Sequence, residues 1–354
     1  MQDRIRWGIH STGHMAGKFA ADLRQVPDAE VVAVASRQMP AARDFAQRHG
    51  IARCYENSAG LAADRDVDVV YLAAPAAQHA EVAIGYLTAG KPVLLEKPFT
   101  TTLADAVRVV AAARAAGVFL MEAMWMRFLP GIRELASRIA TGAIGRPTVL
   151  AASFGRPGPF PAGHRLRRPE LGGGALLDMG VYPLSLAHLL LGVPADVAAS
   201  CARGAGGVDD VTSITLTYPG ALAILSCSID GATANSACVA GTDGYVVIYP
   251  DFIGCRRAAL SPPHGDPITL TWPGPGFGYQ YQVSEVHRCL REGALESSVM
   301  PLAETLRVMR TLDLAHAKTR SADDRAAAVP TRPSGGKEHS PDHLYSAKRS
   351  SAPF

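Results

Sequence analysis

The sequence has few cysteines, little net charge and no long apolar run, and each shortage excludes a class of protein. Its six cysteines form no Cys-x-x-Cys pair, a spacing that supports neither a zinc site nor a disulfide framework. A formal charge of only +3 gives no reason to expect nucleic-acid binding. The most apolar window, residues 107–126, is interrupted by Arg108, Arg114 and Glu122, so we predict no membrane span. Because no apolar signal region follows Met1, we expect a cytoplasmic protein with reduced thiols.

Alternating strand and helix patterns fill the first third of the chain. Hydrophobic residues make up 48% and charged residues 19% of its 354 residues, which is typical of a globular protein of two domains. The patterns predict strands at residues 5–9, 31–35, 67–73, 93–95 and 118–121, and helices at residues 15–25, 41–49, 79–89 and 103–116. Repeated β-α units of this length predict an α/β fold with a parallel, doubly wound Rossmann sheet in residues 1–123.

The pattern changes after about residue 124. A helix is predicted at residues 129–139, and β-like runs follow at residues 148–154, 211–218, 222–229, 237–249 and 267–272. Short turns between them predict an open, mostly antiparallel sheet. With closing helices at residues 281–291 and 301–317, we predict a second α/β domain over residues 124–320. Residues 321–354 are rich in Pro, Ser, Gly and mixed charge and are predicted to be disordered.

The turn after the first strand partly matches a phosphate-binding fingerprint. Residues 11–16 read Ser-Thr-Gly-His-Met-Ala, against an expected Gly-x-Gly-x-x-Gly/Ala. Gly13 allows backbone N–H groups to approach a pyrophosphate, and the start of the next helix favours its negative charge. Ser11 replaces the first glycine and adds a hydroxyl that can donate to phosphate. The predicted phosphate site comprises Ser11, Thr12, Gly13, His14 and Met15; the alternative is an ordinary tight turn.

The end of the second predicted strand has no acidic residue. An NAD site would place Asp or Glu there to accept from the ribose 2′-OH, whereas this chain has Ser36 and Arg37. A hydroxyl donor and a guanidinium suit a 2′-phosphate instead. The sequence therefore predicts NADP(H) as the cofactor, with a solvated loop arginine as the alternative reading of Arg37.

Three side chains suggest a proton-transfer site. Lys97 follows the apolar strand at residues 93–95 and precedes Pro98, at the edge of the sheet where ligands bind in such folds. Asp178 and Tyr182 are four residues apart and would share one face of a helix. The Gly172-Gly173-Gly174 run before them would let the backbone approach a ligand or a neighbouring strand closely. Tyr182 would act as acid or base beside a carbonyl or alcohol. Lys97 would either bind the cofactor ribose and the substrate oxygen or lower the pKa of Tyr182 by stabilising phenolate. The alternatives are a surface lysine, a capping aspartate and a core tyrosine.

Other candidates would surround that site. Trp125, Arg127 and Phe128 lie just past the last predicted parallel strand and would wall a substrate pocket, unless they are domain-interface core. Phe154, Phe160 and Arg165 are further pocket candidates. Pro75 and His79 follow another strand end, where His79 would touch the cofactor or simply begin a helix.

The combination of motifs resembles the Gfo/Idh/MocA oxidoreductase family, nearest to the subgroup of dimeric dihydrodiol dehydrogenases, NADP-dependent xylose dehydrogenases and glucose-fructose oxidoreductase. The motifs are Glu96-Lys97-Pro98 and the segments 122–128, 172–183 and 289–293. The resemblance implies a catalytic Lys97 and Tyr182, an assisting Asp178, and Glu96 beside the cofactor. It also implies a homodimer or homotetramer formed through the second sheet. Ser11 and Ala76 depart from the family pattern.

From these residues we expect an NADP(H)-dependent oxidoreductase that acts on a secondary alcohol or ketone of a sugar, a sugar derivative or a cyclic diol. No metal site is predicted. One alternative is a glycoside hydrolase that keeps its nicotinamide bound, which an NADP-type site at Ser36 and Arg37 disfavours. The other is a non-catalytic NADP(H)-binding sensor, which would have no need of Lys97 and Tyr182.

Overall fold

Six parallel strands form the first sheet of this computed structural model, which describes residues 4–204 and 206–328. The strands are β1 (Ile5–His10), β2 (Ala29–Ala35), β3 (Arg53–Tyr55), β4 (Val69–Leu72), β5 (Val93–Glu96) and β6 (Leu120–Ala123), in the order β3-β2-β1-β4-β5-β6. The helices between them are α1 (His14–Leu23), α2 (Met39–His49), α3 (Ser58–Ala63), α4 (His79–Thr88) and α5 (Leu103–Ala116). The predicted doubly wound parallel sheet is confirmed.

The strand order reverses between β1 and β4, and this position determines where a ligand can bind. In open α/β sheets the crevice lies outside the carboxyl ends of the strands at such a switch point. Every residue of β4 and β5 is buried, as expected of apolar strands covered on both faces. The predicted site residues that follow β1, β4 and β5 therefore lie at one edge of a rigid sheet.

Eight strands form the second sheet, which is antiparallel except for one parallel pair, β7 with β10. The strands are β7 (Pro147–Gly155), β8 (Asp196–Arg203), β9 (Asp209–Tyr218), β10 (Ala221–Ser228), β11 (Ala237–Gly241), β12 (Gly244–Ile248), β13 (Arg257–Ser261) and β14 (Ile268–Thr271), in the order β14-β13-β12-β11-β7-β10-β9-β8. The mostly antiparallel sheet is thus confirmed. Strands β3, β8 and β13 were not predicted, because they lack long apolar runs.

Four helices complete the described chain: α6 (Pro130–Ala140), α7 (Val181–Leu191), α8 (Tyr279–Glu292) and α9 (Leu302–Ala328). Helix α7 packs on β7 and β10. Helices α8 and α9 instead contact α1 and α5, which are helices of the first part of the chain. Residues 321–328, which we assigned to a disordered tail, are helical because α9 continues through this alanine-rich segment. The rest of that predicted tail lies outside the described residues.

One buried carboxylate joins the two parts of the chain. Asp22 on α1 accepts hydrogen bonds of 2.9 Å from the backbone N–H groups of Phe277, Gly278 and Tyr279. These groups begin α8, so Asp22 caps that helix with a charge that favours its N-terminus. The cap also fixes Phe277 and Tyr279, both of which line the cavity described below.

We expect Asp22→Ala to lower the free energy of unfolding by about 2 kcal/mol, because three buried N–H groups lose their acceptor. Urea denaturation measures this loss. Asp44→Ala is the control, since Asp44 makes an exposed pair with Arg48 on α2, and such pairs contribute about 0.5 kcal/mol or less. Equal stability of the two variants would contradict the capping role.

Candidate active site

A cavity of about 660 Å³ lies between the two sheets at the switch point of the first. It is lined by these predicted site residues: Ser11, Gly13, His14, Met15, Pro75, His79, Glu96, Lys97, Trp125, Phe154, Arg165, Asp178 and Tyr182. Thr12, Ser36, Arg37, Arg127 and Phe128 are not part of its lining. The cavity therefore connects the phosphate loop with the three proton-transfer candidates.

The phosphate loop has the backbone of a glycine-containing turn. Ser11 adopts a φ of 139°, a region that side chains other than glycine rarely occupy and that costs about 1–2 kcal/mol. Its Oγ accepts a 3.1 Å hydrogen bond from the Gly13 N–H. Helix α1 begins at His14 without a side-chain cap, and its first residues line the cavity. An uncapped helix start facing a cavity suits a pyrophosphate.

Lys97 lies against both other members of the predicted group. Its Nζ donates to the Asp178 carbonyl at 2.9 Å and to Asp178 Oδ1 at 3.2 Å, and it lies 4.8 Å from the centre of the Tyr182 ring. The ammonium thus contacts the face of the ring and not the hydroxyl. Burial, followed by the charge of Glu96, raises the pKa of Tyr182. The lowering of this pKa by Lys97 stays a prediction, because the raised value reflects burial and Glu96.

Asp178 is held ionised by two cations. Its Oδ1 also accepts a 3.0 Å hydrogen bond from Arg165. Burial opposes ionisation, but Lys97 and Arg165 outweigh it and lower the pKa of Asp178 to about 2. The aspartate lies on a π-helical turn, Leu176–Gly180, that precedes α7, so its spacing from Tyr182 is not that of a regular α-helix. Such turns often occur at functional sites.

The glycine run before Asp178 allows the close backbone approach that we inferred from it. A Cβ on Gly173 would lie 2.7–2.8 Å from three carbonyl oxygens of residues 165–168. Any larger residue would push away the segment that carries Arg165, so glycine is required here.

Tyr182 occupies the first turn of α7, where aromatic residues fix its ring. Its Oη accepts a 3.0 Å hydrogen bond from Trp125 Nε1, and its ring packs edge to face with Phe154 at 5.3 Å between centroids. Glu96 is engaged too: Oε1 accepts from Tyr71 at 2.6 Å and Oε2 from the Lys97 N–H at 3.0 Å. Glu96 therefore orients the backbone that carries Lys97.

Three residues that we predicted for the substrate pocket or the cofactor site have structural roles in the protein. Arg127 is buried and donates 2.8 Å hydrogen bonds to Ser185 Oγ, the Ser185 carbonyl and Glu304, so it braces α7 behind Tyr182. Phe128 belongs to the core. These two residues were wrongly placed in the pocket. His79 lines the cavity, but its ring nitrogens face the carbonyl oxygens of Ala74 and Pro98 at 2.8 and 3.0 Å, which favours a structural role in joining the ends of β4 and β5.

Several cavity residues were missed by sequence reasoning. Lys18 lies one turn after His14 on α1, with its Nζ 4.8 Å from the centre of the Phe277 ring. Arg156, two residues after Phe154, also lines the cavity. Lys18 is four residues from His14 on a helix and Arg156 is two residues from Phe154 on a strand, and these spacings place each pair on one face. The sequence alone does not show which faces of α1 and β7 line the cavity. Further missed residues are His164, Asp251, Arg256 and Tyr279.

Comparisons with known proteins agree with the fold described above. A family model described as an oxidoreductase family with an NAD-binding Rossmann fold matches residues 5–124, and a model of the GFO/IDH/MocA C-terminal domain matches residues 132–247. The Bos taurus trans-1,2-dihydrobenzene-1,2-diol dehydrogenase is 36% identical over 312 residues, which cover 85% of this chain and 92% of the relative. A 3-ketoreductase from Actinomadura kijaniata, solved in complex with NADP and TDP-benzene, is 29% identical with a TM-score of 0.81 over 90% of this chain and 98% of its own. An aldose-aldose oxidoreductase from Caulobacter crescentus, complexed with glycerol, is 25% identical with a TM-score of 0.82 and the same coverage.

Proposed function

The chain belongs to the Gfo/Idh/MocA family of oxidoreductases, and from this premise we propose that it transfers a hydride between NADP(H) and a secondary alcohol or ketone of a sugar, a sugar derivative or a cyclic diol. The observation that carries the proposal is the meeting of Lys97, Asp178 and Tyr182 in a cavity that begins at the phosphate loop. The diol dehydrogenases and sugar oxidoreductases among its relatives support this substrate range.

The residues at the switch point fit a dinucleotide. Gly13, His14 and Met15 would hold the pyrophosphate at the uncapped start of α1. Pro75, Glu96 and Lys97 line the far part of the same cavity, where the nicotinamide would lie. When bound, the cofactor supplies or accepts the hydride.

Tyr182 would transfer the proton. Trp125 donates to its Oη, and this leaves the phenolic hydrogen free to donate to a substrate oxygen. A raised pKa keeps the phenol protonated near neutral pH, as a general acid for carbonyl reduction requires. Lys97 directs two of its three N–H groups at Asp178, and the third is available for the substrate oxygen. Asp178 would fix the ammonium in this position.

NADP(H) is the proposed cofactor because β2 ends in Ser36 and Arg37 and offers no carboxylate. Arg37 is exposed and makes no hydrogen bond or ion pair within the described residues, so its guanidinium is free to meet a 2′-phosphate.

We expect Arg37→Ala to weaken NADPH binding about 10- to 100-fold, the effect of losing a charge-assisted hydrogen bond, and to leave NADH binding unchanged. Fluorescence titration measures both affinities. Arg48→Ala, at the other end of α2, is the control, and equal affinity of wild type for the two cofactors would refute the preference.

We also propose a homodimer or homotetramer formed through the second sheet. Exposed apolar side chains lie on its outer face: Val149 pairs with Leu222, which is two residues from Ile224, and Val211 and Tyr245 lie further out on the same face. A flat apolar surface of this kind suits a second copy of the chain.

We expect Ile224→Glu to convert the oligomer to a monomer in light scattering, whereas Val107→Glu, at an exposed site on α5, should not. A monomeric wild-type protein would overturn this proposal.

The activity is tested by following absorbance at 340 nm with NADPH or NADP⁺ over aldoses, keto-sugars and cyclic diols. We expect a substrate-dependent change that requires NADP(H). Release of sugar from a glycoside without net change would indicate a hydrolase that retains its cofactor. Cofactor binding without turnover of any compound would indicate a sensor, and either outcome would overturn the proposal.

A further inference from the structure

Arg156 comes just after β7, in line with the side chains of this strand that point inward, and it lines the cavity. Residues Leu150, Ala152 and Phe154 are buried on one face of this strand, whereas Val149 and Ala151 are exposed on the other. The Arg156 N–H donates to the Ser228 carbonyl at 3.0 Å, so the ladder continues one residue beyond the strand. Because side chains alternate along a strand, Arg156 follows Phe154 on the cavity side, about 7 Å further along the backbone.

The position of Phe154 places this arginine near the reacting hydroxyl. The Phe154 ring lies 5.3 Å from the Tyr182 ring, and Arg156 is among the charges that lower the pKa of Tyr182 against the larger effect of burial. Arg156 also acts on Lys18 and Asp251 across the cavity. Its charge also reaches His14 at the start of α1, so the guanidinium is within electrostatic reach of both the proposed proton donor and the phosphate loop.

The guanidinium of Arg156 has no partner in the part of the chain that the structure describes. By contrast, Arg165 donates to Asp178, and Arg256 donates to the carbonyls of Gly274 and Gly276. Asp251 lines the same cavity but makes no ion pair with Arg156 within residues 4–204 and 206–320. Arg156 is exposed and lines this concave site, and a guanidinium there without an internal partner is suited to bind an external anion.

The charged side chains that line the cavity do not add up to zero. Its lining contains five lysine and arginine side chains (Lys18, Lys97, Arg156, Arg165 and Arg256) and three carboxylates (Glu96, Asp178 and Asp251), which leaves a surplus of two positive charges. Asp178 is shared between two of the cations. A bound cofactor pyrophosphate would balance this surplus at the start of α1, so the attraction for a substrate anion depends on the unpartnered guanidinium of Arg156.

We propose that Arg156 binds a phosphate or carboxylate group of the substrate, so that the preferred substrates are sugars or cyclic alcohols that carry an anionic group. This inference rests on the proposed oxidoreductase function and narrows its substrate class. The pyrophosphate of the cofactor has the same chemistry, but the start of α1 already provides a site for it, and Arg156 extends from the strand that carries Phe154. The two experiments below distinguish an anionic group of the substrate from the pyrophosphate of the cofactor.

The first arm compares paired substrates, glucose with glucose 6-phosphate and galactose with galacturonate. We expect wild type to favour the charged member of at least one pair by tenfold or more in kcat/KM. Arg156→Met should abolish this preference through a higher KM for the charged member, and Arg156→Lys should retain part of it. Arg257→Met, an exposed arginine of β13 that stacks on Tyr249 outside the cavity, is the control. No preference in wild type, or an equal loss with both members, would overturn the inference.

The second arm measures binding without turnover. Calorimetry of glucose 6-phosphate with the NADPH-loaded protein, which cannot oxidise it, should give an affinity that Arg156→Met weakens at least tenfold, while NADPH affinity stays within threefold. The reverse result, weaker NADPH binding and unchanged sugar-phosphate binding, would assign the arginine to the cofactor and refute the inference. Because this arm needs no catalysis, it distinguishes failure of the anion site from failure of the proposed function.

Discussion

Tyr182→Phe is expected to lower kcat by about 10²–10⁴-fold, the usual contribution of one acid–base group. The substitution removes the only atom of this side chain that can donate a proton, and the ring that packs on Phe154 is preserved. The Trp125 N–H loses its acceptor, so the free energy of unfolding should fall by about 1 kcal/mol. Steady-state rates and urea denaturation measure the two effects separately.

The pH dependence gives an independent check on the same residue. Because burial raises the pKa of Tyr182, little phenolate is present near neutral pH. Alcohol oxidation, which needs the phenolate as base, should therefore accelerate as the pH rises, and carbonyl reduction should not. Tyr249→Phe, at a tyrosine that stacks with Arg257 outside the cavity, serves as the control for the substitution. A Tyr182→Phe variant with the kcat of wild type would exclude the tyrosine as proton donor.

Lys97→Met is expected to lower kcat by about 10²–10³-fold, the effect of removing one charged donor from a developing oxyanion. The variant also leaves Asp178 with Arg165 as its remaining cationic partner, so the carboxylate is expected to move toward that arginine. NADPH affinity should change much less than kcat, because the pyrophosphate is held at the other end of the cavity.

Lys91→Met is a matched control for Lys97→Met. The Lys91 ammonium likewise makes two hydrogen bonds, to the backbone carbonyls of Asp64 and Val67, but it lies outside the cavity lining. Its loss should reduce stability and leave kcat per folded molecule unchanged. Similar kcat losses in the two lysine variants would indicate that Lys97 acts only through folding.

Local signals in the sequence predicted the framework of the site. The apolar run before Lys97 is continuous because β5 is covered on both faces, so the strand end could be located from the sequence. The glycine before Asp178 signalled a close backbone approach, which Gly173 makes. Even the departure at Ser11 was informative, since its φ of 139° shows that the turn has the backbone a glycine would favour.

Partners from distant parts of the chain could not be predicted. Arg127 was placed in the pocket because of its neighbours, but its hydrogen bonds to Ser185 and Glu304 depend on how α7 and α9 pack. The position of Lys97 over the Tyr182 ring likewise depends on a π-helical turn that spacing does not reveal. Arg156 was overlooked because the side of β7 that faces the cavity is known only once the sheet is assembled.

Deuterium transfer tests the central claim most directly. The best alcohol substrate from the screen, labelled with deuterium at the reacting carbon, is incubated with NADP⁺ and the reduced cofactor is analysed by mass spectrometry. We expect wild type to produce singly deuterated NADPH, and Tyr182→Phe and Lys97→Met to produce about 1% as much or less over the same time. Unlabelled NADPH from wild type, or full deuterium transfer by both variants, would contradict the claim that this lysine and this tyrosine act together on a substrate beside the nicotinamide.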